Sequence, residues 1–170
     1  MRPYDLSELR TYGLHSRPSK VSVADLGSPA APSTCLSGFL DTLPKQLAAN
    51  ELRRVCDHVV RTNREGRSFA IAIGGHVIKT GCAPYLIDLI QGGVITSVAM
   101  NGSAAIHDFE LAFCGHTSED VSAQLHAGNF GMARETADAF AVAAREGARG
   151  EKGLGAALGE YMAGVGVAHP

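Results

Sequence analysis

The sequence predicts an α/β protein in which helices flank a Rossmann-like parallel sheet and the carboxyl-terminal part is rich in helix. Residues 68–73 (SFAIAI) and 94–100 (VITSVAM) are short apolar runs, typical of strands buried on both faces. Between them, Pro84–Gln91 has apolar residues at helical spacing and stops at two glycines. The order strand, helix, strand indicates two parallel strands joined by a crossover.

The whole chain is predicted to have two parts. Residues 1–43 form an irregular N-terminal arm, because their four prolines, with glycine and serine between them, interrupt regular structure. Residues 44–170 form the folded body, a predicted Rossmann-like domain. Its first helix runs from Pro44 to about Asn63, because the apolar residues of this stretch recur at helical spacing and would share one face.

Helical patterns dominate after the second strand, and no further strand is convincing. Ile106–Cys114 is predicted to be a helix, and another opens behind Thr117 or Ser118 as its cap. Two more helices are predicted at Ala133–Glu146 and Leu154–Met162. Two strands make a poor sheet, so the body is expected to be an incomplete α/β unit that more chain or a second subunit completes.

The composition narrows the class of protein. Hydrophobic residues are 45% and charged residues 19% of the chain, a balance that favours a globular protein. The net charge of -2 without a basic run argues against nucleic-acid and membrane partners. The polar amino terminus does not resemble an export signal, so a cytoplasmic location is expected. The four cysteines lack metal-site spacing and are expected to be reduced and mostly buried.

The first candidate loop is the glycine-rich segment 74–81 (GGHVIKTG), directly between a predicted strand and a predicted helix. Backbone N–H groups and the helix dipole at such a position can hold phosphate. The segment does not match GxGxxG, and Ile78 stands where a phosphate-binding GxxxxGK[ST] loop requires glycine. The alternative is a turn whose glycines supply positive φ. The candidate binding residues are Gly74, Gly75, His76, Thr80 and Gly81.

The second candidate loop is segment 101–110 (NGSAAIHDFE), which follows the second strand. Ligands of open parallel sheets bind at the carboxyl ends of the strands, so both loops are expected to converge on one crevice. His107 and Glu110 are three residues apart and can be neighbours on a helix, but two ligands are too few to predict a metal site. For Asp108, the alternative to ligand binding is a cap at the helix start. The candidate binding residues here are Asn101, Gly102, Ser103 and Asp108.

The segment 74–121, from GGHVIKTG through NGSAAIHDF to SEDV, resembles the deoxyhypusine synthase family, in particular its bacterial deoxyhypusine-synthase-like members. For those bacterial members the resemblance covers roughly residues 1–159, including RTYGLHSRPSKV and NFGMARET. The central stretch is also similar to the NAD-dependent ornithine cyclodeaminase domain. Both groups of relatives use NAD, so the resemblance implies NAD as the cofactor.

The resemblance also implies roles for single residues. Thr80 and Gly81 match a Ser-Gly pair that lies against the cofactor. Gly102 and Ser103 match the next cofactor loop. Asp108 matches one acid of that loop, and His107 replaces the other. His107 and Asp108 are therefore the candidate catalytic residues, which would manage the proton of an amine.

The activity implied is that of an NAD-dependent transferase, in which oxidation of an amine is coupled to transfer of an aminoalkyl group. An NAD-dependent lyase of the ornithine cyclodeaminase type is the first alternative. A catalytically incomplete cofactor-binding or oligomerisation module is the second, because the family's Gly-Gly-Gly-Val-Pro-Lys-like motif has no counterpart in these 170 residues and Lys79 does not replace it. The expected partners are a small-molecule amine or amino acid and further copies of the chain, as a dimer or tetramer.

Overall fold

A computed structural model of the chain describes Ser7 and residues 9–169. The chain divides into two compact units, with the boundary between Val60 and Arg61. We call the described residues up to Val60 unit 1 and those from Arg61 unit 2. The first residues of the predicted arm, 1–6 and 8, lie outside the described part.

Unit 1 is helical. Two 3-10 helices, Leu14–Ser16 and Val23–Asp25, precede the α-helices Leu36–Thr42 (α1) and Leu47–Arg64 (α2). The last four residues of α2 follow Val60 and belong to unit 2. The prediction of an irregular arm over residues 1–43 is wrong for α1. Prolines do not recur between Pro32 and Pro44, and the apolar residues of that stretch can follow helical spacing.

The first half of α2 is bonded to the chain before it. The Arg53 guanidinium donates hydrogen bonds to the backbone carbonyls of Leu40 (2.7 Å), Leu43 (2.6 Å) and Pro44 (3.1 Å). These bonds satisfy carbonyls at the end of α1 and at the turn that follows it. The division of the chain therefore lies later than the boundary predicted at residue 44.

Unit 2 contains a two-stranded parallel sheet. Strand β1 is Ala70–Ile73 and strand β2 is Ser97–Met100, with Ala70 opposite Ser97. Both strands are shorter at their start than predicted, because Thr96 makes side-chain bonds there: the Phe69 N–H donates to Thr96 Oγ1 at 2.9 Å. The predicted class, mixed α/β with much helix, is confirmed.

Six helices accompany this small sheet in unit 2, and several strand residues stay exposed, among them Ala72 and Ala99, contrary to the expectation of strands buried on both faces. Between the strands lie α3 (Gly75–Lys79) and α4 (Ala83–Gln91), and after them α5 (Gly102–Cys114), α6 (Val121–Ala127), α7 (Arg134–Arg149) and α8 (Leu154–Val165). The four predicted helices of this part, together with the one between the strands, are confirmed as elements. In the part of the chain that the structure describes, no strand follows β2, also as predicted.

Helix α5 packs against other elements on two sides. On one side its Ala104 joins Ile73 and Ile78 in a small buried cluster with β1 and α3. On the other, Phe109 is 1% exposed and packs among alanines and Leu158 of α7 and α8. A Cβ on Gly147 of α7 would lie 3.2 Å from the Ala157 Cβ, so these two helices approach closely.

The cysteines differ from expectation in their burial. All four are free, but Cys35, Cys82 and Cys114 are exposed, and Cys56 is half-buried. Their exposure follows from their position, because the three exposed ones lie at helix ends, where the chain turns at the surface. Among the described residues, no helix combines the length and apolar character needed to cross a membrane.

Candidate functional site

The two predicted loops meet at the carboxyl edge of the sheet. The Asn101 N–H donates to the Ile73 carbonyl at 3.4 Å, so β2 leaves the sheet beside the end of β1. Gly75 is buried, and a Cβ there would collide with Ser103 Oγ and lie 2.8 Å from His107 Cδ2. Glycine at residue 75 therefore permits the close approach of α3 and α5.

Both loops are partly helical, which corrects the prediction that α5 begins at Ile106. Its first residue is Gly102, because the Asn101 side chain caps it: the Ala104 N–H donates to Asn101 Oδ1 at 3.0 Å. Gly102 and Ser103 thus belong to the first helical turn. Their N–H groups donate to no residue that the structure describes, as expected for a helix start.

The predicted residues of the first loop are spread along α3. Gly74 precedes the helix, and His76 is exposed in its first turn. Thr80 and Gly81 follow its last residue, Lys79, which places them about 8–9 Å along the helix axis from Gly75. A Cβ on Gly81 would find no atom within 4 Å, although its φ of +89° favours glycine. Thr80 and Gly81 therefore lie away from the Asn101 loop.

A cavity of about 500 Å³ lies at the carboxyl end of β2, and we call it the Asp108 cavity. It contains residues from β2, the start of α5, α7 and α8. Its lining is Val98, Met100, Asn101, Gly102, Ala105, Asp108, Phe140, Leu154, Gly155, Leu158, Gly159 and Met162. Cavities of this size hold small molecules and cofactor fragments.

Asp108 is the one ionisable residue of this lining. Asp108 is half-buried, and no group within residues 9–169 donates a hydrogen bond to its side-chain carboxylate or forms an ion pair with it. Burial raises the pKa of its carboxyl above the ordinary value. Its place as the seventh residue of α5 rules out the alternative of a cap, since Asn101 fills that role.

The α8 wall of the cavity is apolar and contains two glycines. Gly155 and Gly159 would each place a Cβ where no atom lies within 4 Å. Leu158 and Met162 supply the side chains of the same wall. The cavity therefore combines one carboxylate and a helix start with apolar residues of α8.

His107 lies on a different face of α5 from Asp108, although both were predicted to be catalytic residues. Successive residues of a helix point about 100° apart. His107 Nδ1 is 2.7 Å from Thr117 Oγ1, on the loop after α5. Thr117 in turn donates to Glu110 Oε2, and Thr136 of α7 donates to Glu110 Oε1 at 3.1 Å.

Sequence reasoning missed part of this arrangement. Thr117 was considered a cap for α6, but Asp120 is the cap, since the Ala123 N–H donates to its side chain at 3.0 Å. The spacing of His107 and Glu110 was a usable signal, because it places both on neighbouring turns of one helix. No sequence pattern pointed to Thr136 or to the glycines of α8.

The chain matches no protein-family model, no curated protein and no solved structure.

Proposed function

We propose that unit 2 binds NAD in the Asp108 cavity. The observation that carries the proposal is a half-buried carboxylate without a protein partner, in a cavity of about 500 Å³ that also contains the start of α5. Free N–H groups at a helix start suit a phosphate, and a carboxylate suits the hydroxyls of a ribose. The apolar α8 wall suits a base or nicotinamide ring.

Two residues that line the cavity, Gly102 and Asp108, would hold the cofactor, and Ser103 follows Gly102 in the first helical turn. No described residue accepts a hydrogen bond from the N–H of Gly102 or Ser103, and Gly102 has no side chain to block approach. Asp108 would accept hydrogen bonds from ribose hydroxyls, while Asn101 is committed to capping the helix. NAD bound here would supply a hydride acceptor for an amine carbon.

We further propose that the sheet is part of a Rossmann-like fold and that the chain is a transferase of the deoxyhypusine synthase type. The support is the resemblance of segment 74–121, together with two loops that meet at one sheet edge. Formation of NADH on addition of a polyamine to the protein and NAD would test the activity. Assembly into a homo-oligomer stays a prediction, favoured by exposed Tyr85, Ile87 and Ile90 on α4, and light scattering would decide it.

Filling the cavity tests where NAD binds. Gly159→Leu adds a side chain that points into open space at the apolar wall, and leucine forms helix better than glycine, so the fold should persist. Calorimetric titration should show NAD affinity at least about tenfold weaker than in the wild type, about 1.4 kcal/mol.

Gly164→Leu is the matched control. Gly164 lies on the same helix, also has open space at its Cβ position and is not part of the cavity lining. NAD affinity there should equal that of the wild type. Equal affinities for the two folded variants would place NAD outside this cavity, and a wild-type protein that binds no NAD would reject the cofactor itself.

A further inference from the structure

We propose that Glu110 and Thr117 are positioning residues, which hold the His107 imidazole with its proton on Nδ1 and leave Nε2 as the nitrogen that can accept a proton. The inference deepens the proposed function, on which it rests for the role of His107 as a base. It concerns the side of α5 that faces α3 and the loop after α5, not the lining of the Asp108 cavity.

The direction of the hydrogen bonds fixes the tautomer. A threonine hydroxyl has one proton, and an ionised carboxylate can only accept. Thr117 must therefore donate to Glu110 Oε2. Its oxygen is left to accept from His107 Nδ1, 2.7 Å away, so that nitrogen carries a proton.

The second nitrogen of the ring stays available. Among the residues that the structure describes, none hydrogen-bonds to His107 Nε2. Cδ2, its neighbour in the ring, lies beside Gly75, where a Cβ would be 2.8 Å away. The edge of the ring that lacks a partner is thus the one next to the first turn of α3, at the carboxyl edge of the sheet.

Glu110 is itself held in place. The Thr136 hydroxyl donates to its second carboxylate oxygen at 3.1 Å, which ties α5 to α7. Glu110 is half-buried and acts on His107 through the Thr117 hydroxyl. A histidine whose one N–H is engaged by such an acceptor presents a lone pair on its other nitrogen, as required of a base.

Nitrogen-15 NMR of the full chain at alkaline pH, without NAD, reads the tautomer directly. The His107 signals are assigned by their loss in His107→Gln. The wild type should show a protonated Nδ1 and an unprotonated Nε2. Thr117→Val, which removes the hydroxyl but keeps the shape, should lose the Nδ1–H signal as the dominant form, and Thr117→Ser should restore it.

Thr136→Val is the matched control, because it removes the other hydroxyl bonded to Glu110 and leaves the Thr117 bridge intact. It should lower thermal stability and leave the His107 signals unchanged. A wild-type His107 protonated on Nε2, or an unchanged Nδ1–H signal in folded Thr117→Val, would overturn the proposal. Since the spectra are recorded without NAD, their outcome is independent of whether the Asp108 cavity binds the cofactor.

Discussion

Two faces of α5, one with His107 and one with Asp108, differ in how their polar side chains are satisfied. On the face of His107, three hydrogen bonds connect the imidazole, Glu110 and two threonines. On the face of Asp108, no described residue bonds to the carboxylate. Helix α5 thus presents the His107 imidazole, which hydrogen bonds orient, and at the next residue the Asp108 carboxylate, to which no described residue donates a hydrogen bond.

The difference comes from what packs on each side. The loop after α5 and α7 bring hydroxyls to Glu110, whereas α8 brings glycines and apolar side chains to Asp108. A carboxylate removed from water without a partner destabilises the folded state, and such residues concentrate at functional sites. Asp108 therefore stands out as a candidate binding residue, because no described residue satisfies its carboxylate.

Loss of the buried Phe109 side chain, which supports both faces of α5, should have the largest effect on stability. Phe109 is 1% exposed, stacks on Phe113 at 5.4 Å between ring centroids and meets Phe140 edge-on at 6.4 Å. Phe109→Ala should lower the free energy of unfolding by about 3–5 kcal/mol, because it leaves a cavity in the core. Urea denaturation measures it.

Phe113→Ala is the control for that variant. The Phe113 side chain is 39% exposed, so its loss should cost clearly less than the loss of Phe109. Equal effects of the two substitutions would mean that the cluster around Phe109 is not the core on which both faces of α5 depend.

Loss of the cap at the start of α5 should have a smaller effect on stability. Asn101→Ala removes the cap of α5 and should cost about 1 kcal/mol of unfolding free energy, whereas Asn101→Asp should cost little, because aspartate caps equally well. Thermal denaturation followed by circular dichroism compares the variants. If Asp108→Asn lowered the melting temperature as much as Asn101→Ala does, the assignment of the cap to Asn101 alone would fail.

The elements were predictable from sequence where local pattern decides them. The strands and α4 are apolar runs bounded by glycine, and the structure has them within a few residues of prediction. The start of α5 was missed because Gly102 and Ser103 have turn composition, although Asn101 before a helix is a cap signal. The hydrogen bonds of Glu110 to Thr117 and Thr136 could not be predicted from local sequence, because these threonines are 7 and 26 residues away from Glu110.

The Asp108 cavity was predictable only in part. Asn101, Gly102 and Asp108 were identified because they follow a strand at the ligand-binding edge of a parallel sheet. The α8 wall depends on how α7 and α8 pack through alanine and glycine, and local pattern carries no information on that packing. The separation of His107 from Asp108 required knowing that both lie inside α5, not in a loop.

The most direct test of the central claim is the NAD affinity of the wild type and of Asp108→Asn across pH. At neutral pH, Asp108→Asn should weaken NAD binding about tenfold, on the order of 1–2 kcal/mol, because a charge-assisted bond to the ribose is lost. It should not lower stability, since burial raises the pKa of Asp108 and its ionisation costs the folded protein stability as the pH rises through that pKa.

The pH dependence separates the two proteins further. The pKa of Asp108 lies above the ordinary aspartate value of about 4. As the pH falls through this raised pKa, the carboxyl gains a proton and the wild type should lose affinity for NAD. Asp108→Asn should show weak affinity that does not change over the same range. Equal affinities of the two proteins at neutral pH, with the same pH profile, would contradict the assignment of NAD to the Asp108 cavity.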